Sequence, residues 1–137
     1  MTKLTGQCLC GDVKFEADGD IAIMANCHCT DCRQSTGSTF ATLVFMKEAD
    51  VKIDGKLGHF AHKVDSGNTL SKQFCTHCGS PMFGGNEGRP GMVAIRGGII
   101  NEQDVVKPMA NVYASRKMDC TILDDKIPAF DKMPPKA

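Results

Sequence analysis

Apolar and polar residues alternate along most of this chain in short runs broken by glycine, asparagine and aspartate. Residues 13–17 read Val-Lys-Phe-Glu-Ala, the period-two pattern of a half-buried strand. A turn is predicted at residues 18–20, and residues 21–26 form the next strand, which delivers Cys27. Residues 40–46 are the most continuous apolar run and read as a buried strand. Further strands are predicted over residues 51–54, 57–64 and 69–74, with a hairpin turn at residues 65–68. Residues 81–83 lead away from Cys78, residues 84–91 read as a loop, and residues 92–96 form a strand stopped by Gly97 and Gly98. Residues 109–115 read as the last strand. Helix is confined to single turns, one near residues 31–34 and one near residues 101–104. The proline-punctuated stretch 127–135 is expected to lie over the surface. Many short strands separated by turns predict a mostly-β fold. The reading is one domain over residues 1–137, with a core of about 5–115 and an extended tail over 116–137.

Composition narrows this picture. At 137 residues, 42% hydrophobic and 23% charged, the chain suits one modest core of ordinary globular composition. With no Trp and one Tyr, that core must come from Val, Ile, Leu, Met and seven Phe. The eight Met read as core filler. Sixteen basic residues balance sixteen acidic ones, which gives no reason to expect nucleic acid or a membrane surface as partner. No apolar run reaches the roughly 18 residues of a membrane span. The start shows no apolar secretory segment, so a cytoplasmic location with reduced thiols is expected.

The cysteines change the picture most. Seven of the eight fall into three tight groups, Cys8 and Cys10, then Cys27, Cys29 and Cys32, then Cys75 and Cys78. A disulfide framework is the competing reading, but such close pairs bridge one another poorly. They do suit a metal, because both sulfurs can turn to one side of a tight loop. Cys8, Cys10, Cys75 and Cys78 make the four ligands of a structural zinc, and each pair is followed by glycine, Gly11 and Gly79, where the backbone can turn back. Cys27, Cys29 and Cys32 are left with three sulfurs, the pattern of a catalytic zinc with one open position. The other possibility is a second closed site with His28, His77, Asp31 or Cys120 as fourth ligand. Two zinc ions are expected, the second held less firmly.

These motifs carry a family likeness. Gly6-Gln7-Cys8-Leu9-Cys10-Gly11-Asp12-Val13, Cys27-His28-Cys29-Thr30-Asp31-Cys32-Arg33 and Phe74-Cys75-Thr76-His77-Cys78-Gly79-Ser80 resemble, in order, the three cysteine motifs of the glutathione-dependent formaldehyde-activating enzyme family. Gly37 and Phe40 also stand at the family's places. The resemblance implies an Mss4-like β-tent derived from a zinc ribbon. It implies a structural zinc on Cys8, Cys10, Cys75 and Cys78 and a catalytic zinc on Cys27, Cys29 and Cys32. It implies a carbon–sulfur lyase that joins formaldehyde to glutathione as S-hydroxymethylglutathione. One departure stands out. The family's Trp after a strand resembling residues 112–115 is absent, and residues 116–120 read Arg-Lys-Met-Asp-Cys here.

A zinc on three thiolates is a weak Lewis acid and a good home for another soft sulfur. The expected substrates are therefore a small thiol such as glutathione and an aldehyde. Arg33, Ser35, Thr36 and Ser38 follow the third ligand and are the expected contacts for a substrate carboxylate or a developing oxyanion. His28 is a candidate proton carrier, or else a residue supporting the ligands from behind or exposed to solvent. His59 and His62 read as structural, and Arg89 and Arg96 as solvent-exposed or as contacts to a peptide-like anion. The alternative function is a non-catalytic binding module of the same fold, in which zinc only holds the structure together.

Overall fold

The computed structural model describes residues 1–134 and contains two antiparallel-rich sheets. The strands are β1 (Thr2–Gln7), β2 (Lys14–Gly19), β3 (Ile21–Cys27), β4 (Ala41–Lys47), β5 (Val51–Asp54), β6 (Leu57–Lys63), β7 (Thr69–Cys75), β8 (Pro81–Asn86), β9 (Met92–Arg96) and β10 (Ala110–Val112). One short helix, α1 (Thr30–Thr36), follows β3. The small sheet has the order β1-β2-β5, and the large one the order β10-β3-β4-β9-β8-β7-β6. The fold is the mostly-β tent that the sequence predicts.

Period-two alternation gives the large sheet two working faces. On one, Val44 and Met46 of β4, Val93 and Ile95 of β9, and Phe83 of β8, joined by Met82 where the β7–β8 register shifts, are buried against Leu4, Phe15 and Ala17 of the small sheet. Phe15 meets Phe83 edge-to-face at 5.6 Å and 85°, the geometry that aromatic quadrupoles favour. On the other face stand the intervening residues. The ladder puts Leu43 opposite Arg96, and Phe45 opposite Ala94, which in turn pairs with Gly84. Gly84 pairs with Lys72 of β7. This second face carries the site described below.

Three stretches differ from the sequence expectation. Strand β1 is unannounced because one of its two inward positions is Gly6, which contributes no apolar side chain to the pattern. A Cβ there would collide with the Ile99 carbonyl and the Phe15 ring, so the glycine permits a close approach. Strand β8 continues through Gly84 and Gly85 to Asn86, where a loop was expected. Its glycines lie against β7: an added Cβ at Gly85 would stand 2.9 Å from the Ser71 hydroxyl. The last strand is shorter than expected. It ends at Val112 because Tyr113 turns to φ 53°, a left-handed conformation uncommon outside glycine, and a 3₁₀ turn, Ala114–Arg116, follows.

Strand β10 pairs in parallel with β3, setting Val112 beside Cys27. The tail is more engaged than a surface covering. The Asn111 amide donates to the Pro128 carbonyl at 2.9 Å, and the Phe130 amide donates to the Asn111 carbonyl at 2.9 Å. Phe130 and Met133 pack on the apolar cluster around Cys27 and Leu43.

A local lock joins β1 to the segment after β9. The Thr5 amide and hydroxyl both donate to the Glu102 carboxylate at 2.7 Å. The Thr5 amide bond is the main cause that holds the Glu102 carboxyl below its ordinary value, with the hydroxyl adding to it. A carboxyl depressed in the folded state stabilises the fold above its unfolded value and loses that contribution as pH falls through the folded value. Solvent exposure limits the gain to below about 1 kcal/mol. Glu102→Gln should therefore lower stability by up to that amount at pH 7 in urea unfolding. The gap to wild type should close in strong acid; a gap of constant size down to pH 2 would contradict the assignment.

Candidate functional site

Two groups of sulfurs converge, each with all its ligand atoms within 4.8 Å of one another: Cys8, Cys10, Cys75 and Cys78 in one, and Cys27, Cys29 and Cys32 in the other. The first joins the end of β1 to the end of β7. The two halves are built alike. The Gly11 amide donates to the Cys8 carbonyl at 3.2 Å, and the Gly79 amide to the Cys75 carbonyl at 2.9 Å. Both glycines take positive φ, 83° and 77°. Gly79 has open space around a would-be Cβ, so its need is conformational and not steric. Turning the backbone this way aims amides at sulfur: Val13 donates to Cys8 Sγ, and His77 and Cys78 donate to Cys75 Sγ, each at 3.4 Å. Amides aimed at a sulfur favour its thiolate form, the form that binds metal.

The spacing tests whether an ion fits. A tetrahedral ion with metal–sulfur bonds of about 2.3 Å has sulfur–sulfur edges of about 3.8 Å. Cys8 and Cys10 Sγ lie 3.6 Å apart, and Cys10 and Cys75 Sγ 3.7 Å apart. The Ser80 hydroxyl, 3.1 Å from Cys78 Sγ, is the first cause that brings the Cys78 thiol down to about 5, with the Ser80 amide second. The four sulfurs fit a closed tetrathiolate centre.

The second group sits where β3 ends. Cys27 is its last residue, Cys29 caps α1, and Cys32 lies in the first turn of α1. The Cys32 amide donates to Cys29 Sγ at 3.2 Å, and Gly37 closes the helix in a left-handed conformation. Hydrogen bonds from the Cys27 thiol, then from Cys32, drive Cys29 down to about 2. The same contacts, Cys29 first and Cys32 next, together with burial, push Cys27 up. The three sulfurs thus lie close enough to share protons. They fit three ligands of a metal ion.

No fourth ligand from the candidates joins them. His28 is buried, its Nε2 lies 3.0 Å from the Asn111 side-chain oxygen, and its ring packs 5.1 Å from Phe40. His77 sits at the other centre, 3.0 Å from Asp12. Cys120 is exposed. Asp31 stands beside the sulfurs on the cavity wall but outside the ligand group.

Cys27, Cys29 and Cys32 open onto a cavity of about 250 Å³ on the second face of the large sheet. Leu43, Phe45, Ala94 and Tyr113 give it an apolar wall. Lys72, Arg89, Arg96 and Arg116 line it against two carboxylates, Asp31 and Asp65, so its lining carries excess positive charge. Arg89 lies over the Phe45 ring at 5.7 Å, and Arg116 pairs with Asp65 at 3.1 Å. Burial first, then the Cys27 and Cys29 sulfurs, raise the Tyr113 hydroxyl above its ordinary value.

Arg33, Ser35, Thr36 and Ser38, the contacts expected from sequence, do not line this cavity. They serve α1 instead. Thr36 and Ser35 hydroxyls donate to the Cys32 carbonyl at 2.7 and 3.3 Å, Arg33 donates to the Thr30 hydroxyl at 3.4 Å, and the Ser38 amide donates to the Thr36 hydroxyl at 3.1 Å. The residues that do line it come from β4, β7, β8 and β9, from the turn between β6 and β7, from Arg89, and from Tyr113, Arg116 and Met133 beyond β10, so no single local motif points to them.

The four-sulfur centre ties distant parts of the chain together, so its loss should be global. Metal binding to four thiolates contributes about 10–16 kcal/mol, as much as the whole stability of a typical domain. Cys78→Ser should leave the protein unfolded at 25 °C by circular dichroism. A variant melting at the wild-type temperature would show that this centre does not hold the fold.

Comparison with known proteins matches residues 3–116 to the family described as glutathione-dependent formaldehyde-activating enzyme. The fold is similar to a crystal structure of a Rhodobacter sphaeroides protein, with a TM-score of 0.56 and 22% sequence identity, covering 76% of this chain and 96% of that one.

Proposed function

For a chain that belongs to the glutathione-dependent formaldehyde-activating enzyme family, we propose a zinc-dependent carbon–sulfur lyase acting on a glutathione-type thiol adduct. The observation that carries this reading is the different setting of the two sulfur groups. Cys27, Cys29 and Cys32 line the cavity of about 250 Å³, and the four sulfurs of the other group are not among its lining residues. A purely structural second metal would have no use for a cavity beside it.

Cys27, Cys29 and Cys32 would hold the catalytic zinc. When bound, zinc supplies a soft acceptor that keeps a thiol substrate deprotonated near neutral pH. The residues of the chain do the rest. The apolar wall of Leu43, Phe45 and Ala94 excludes water from the bound end of the thiol. Lys72 and Arg116 draw an anionic substrate into the cavity. Tyr113, kept protonated, is a hydrogen-bond donor on the same wall for the oxygen of an aldehyde. The substrate sulfur then attacks the aldehyde carbon. A C–S bond forms, the carbonyl pair moves to oxygen, and that oxygen takes a proton from water; the reverse step breaks the C–S bond. Such chemistry needs reduced thiols, so the reading includes a cytoplasmic setting.

The rate of hemithioacetal formation from ¹³C-formaldehyde and glutathione, followed by exchange NMR, tests this reading. Wild type should accelerate the exchange, and Cys32→Ser should reduce that acceleration by about 100-fold or more while keeping a wild-type melting temperature. Acceleration unchanged in Cys32→Ser would contradict it. No acceleration by wild type with any aldehyde would leave the non-catalytic binding module.

A further inference from the structure

Arg96 ends β9 on the cavity face of the large sheet. Only 7% of it is exposed, and its Nε has no hydrogen-bond partner. Among the described residues, no carboxylate lies within ion-pair distance of it. A buried charge is normally paired or neutralised, and a guanidinium cannot neutralise itself by losing its proton. Its neighbours do not compensate it either. Leu43 faces it across the ladder. Gly84 leaves space beside it: an added Cβ there would stand 3.9 Å from an Arg96 terminal nitrogen. Of the two carboxylates on the cavity wall, Asp65 is already taken by Arg116.

The other cations of the cavity differ. Arg89 is spread over Phe45, and Arg116 is paired. Lys72 lines the same cavity as the three sulfurs but is a compact point charge without a planar fork. Arg96 is thus the buried, unpaired fork on a wall shared with the sulfurs, and a planar fork matches a carboxylate with two parallel hydrogen bonds.

Resting on the proposed thiol chemistry, we infer that Arg96 determines specificity by taking a carboxylate of the bound thiol. The protein then selects thiols that carry a carboxylate over uncharged thiols of similar size. A cavity of about 250 Å³ is smaller than the usual pocket for a drug-sized ligand. It therefore takes only the sulfur-bearing end of a peptide-sized thiol, and the carboxylate it reads lies close to that sulfur.

Calorimetric titration of the zinc-loaded protein with S-methylglutathione and with its dimethyl ester tests the inference. Neither probe offers a free thiol, so the carboxylate is read apart from the sulfur. Wild type should bind the acid, and esterification should weaken binding by roughly 10-fold or more. Arg96→Gln should lose the same factor and no longer distinguish acid from ester, with Arg96→Lys between the two. Removing an unpaired buried charge should leave the melting temperature of Arg96→Gln at or above that of wild type. Equal binding of acid and ester by wild type, no binding of the acid, discrimination retained in Arg96→Gln, or failure of that variant to fold would each overturn the inference. Failure of the lyase reading shows differently, as absent turnover with the discrimination between acid and ester intact.

Discussion

The clamp that sets Cys8 and Cys10 against Cys75 and Cys78 is the constraint on which the other parts depend. It joins the end of β1, in the small sheet, to the end of β7, in the large one. The apolar core between the sheets is real but modest, with Phe15 meeting Phe83 edge-to-face inside it. Sulfurs already 3.6–3.7 Å apart require little rearrangement to take an ion. A bound ion at that point fixes the separation of the sheets, and with it the register that decides which residues face inward. With an ion bound there, folding and metal binding would be one event.

That register has a consequence on the far side of the large sheet. With Val44, Ile95 and Phe83 committed to the core, Leu43, Phe45, Ala94 and Arg96 must face the other way. The same alternation lets β3 deliver Cys27 beside them, and α1 folds Cys29 and Cys32 back onto it. The tail completes the wall. It hydrogen-bonds to Asn111, and Met133 reaches the cavity. Tyr113 holds an unusual backbone conformation on this wall, and residues kept in such conformations concentrate at functional sites. The turn after it supplies Arg116, in the stretch where the family's Trp is missing.

How much of this was legible follows from how each feature is encoded. Metal ligands are encoded by spacing, so the three cysteine motifs were readable at once. Strands are encoded by alternation, and most were found within a residue or two. Where an inward position is glycine, as in β1 and β8, the alternation is silent, because the packing is done by backbone approach. The cavity was the least legible part. Arg33, Ser35, Thr36 and Ser38 stand next to Cys32 in sequence, but α1 turns their polar groups onto its own backbone, side chains and cap. Arg96 and Lys72 are far from any cysteine motif, and nothing local distinguishes them from exposed cations. Only the pairing of four strands brings them to the sulfurs.

The proposed chemistry requires one sulfur centre to be closed and the other to open to a thiol. X-ray absorption at the zinc edge, with and without glutathione, tests it most directly. The account predicts a light-atom ligand alongside sulfur in the free protein, replaced by additional sulfur when glutathione is added, with the remaining shell unchanged. A spectrum of sulfur ligands alone that does not respond to glutathione would contradict it.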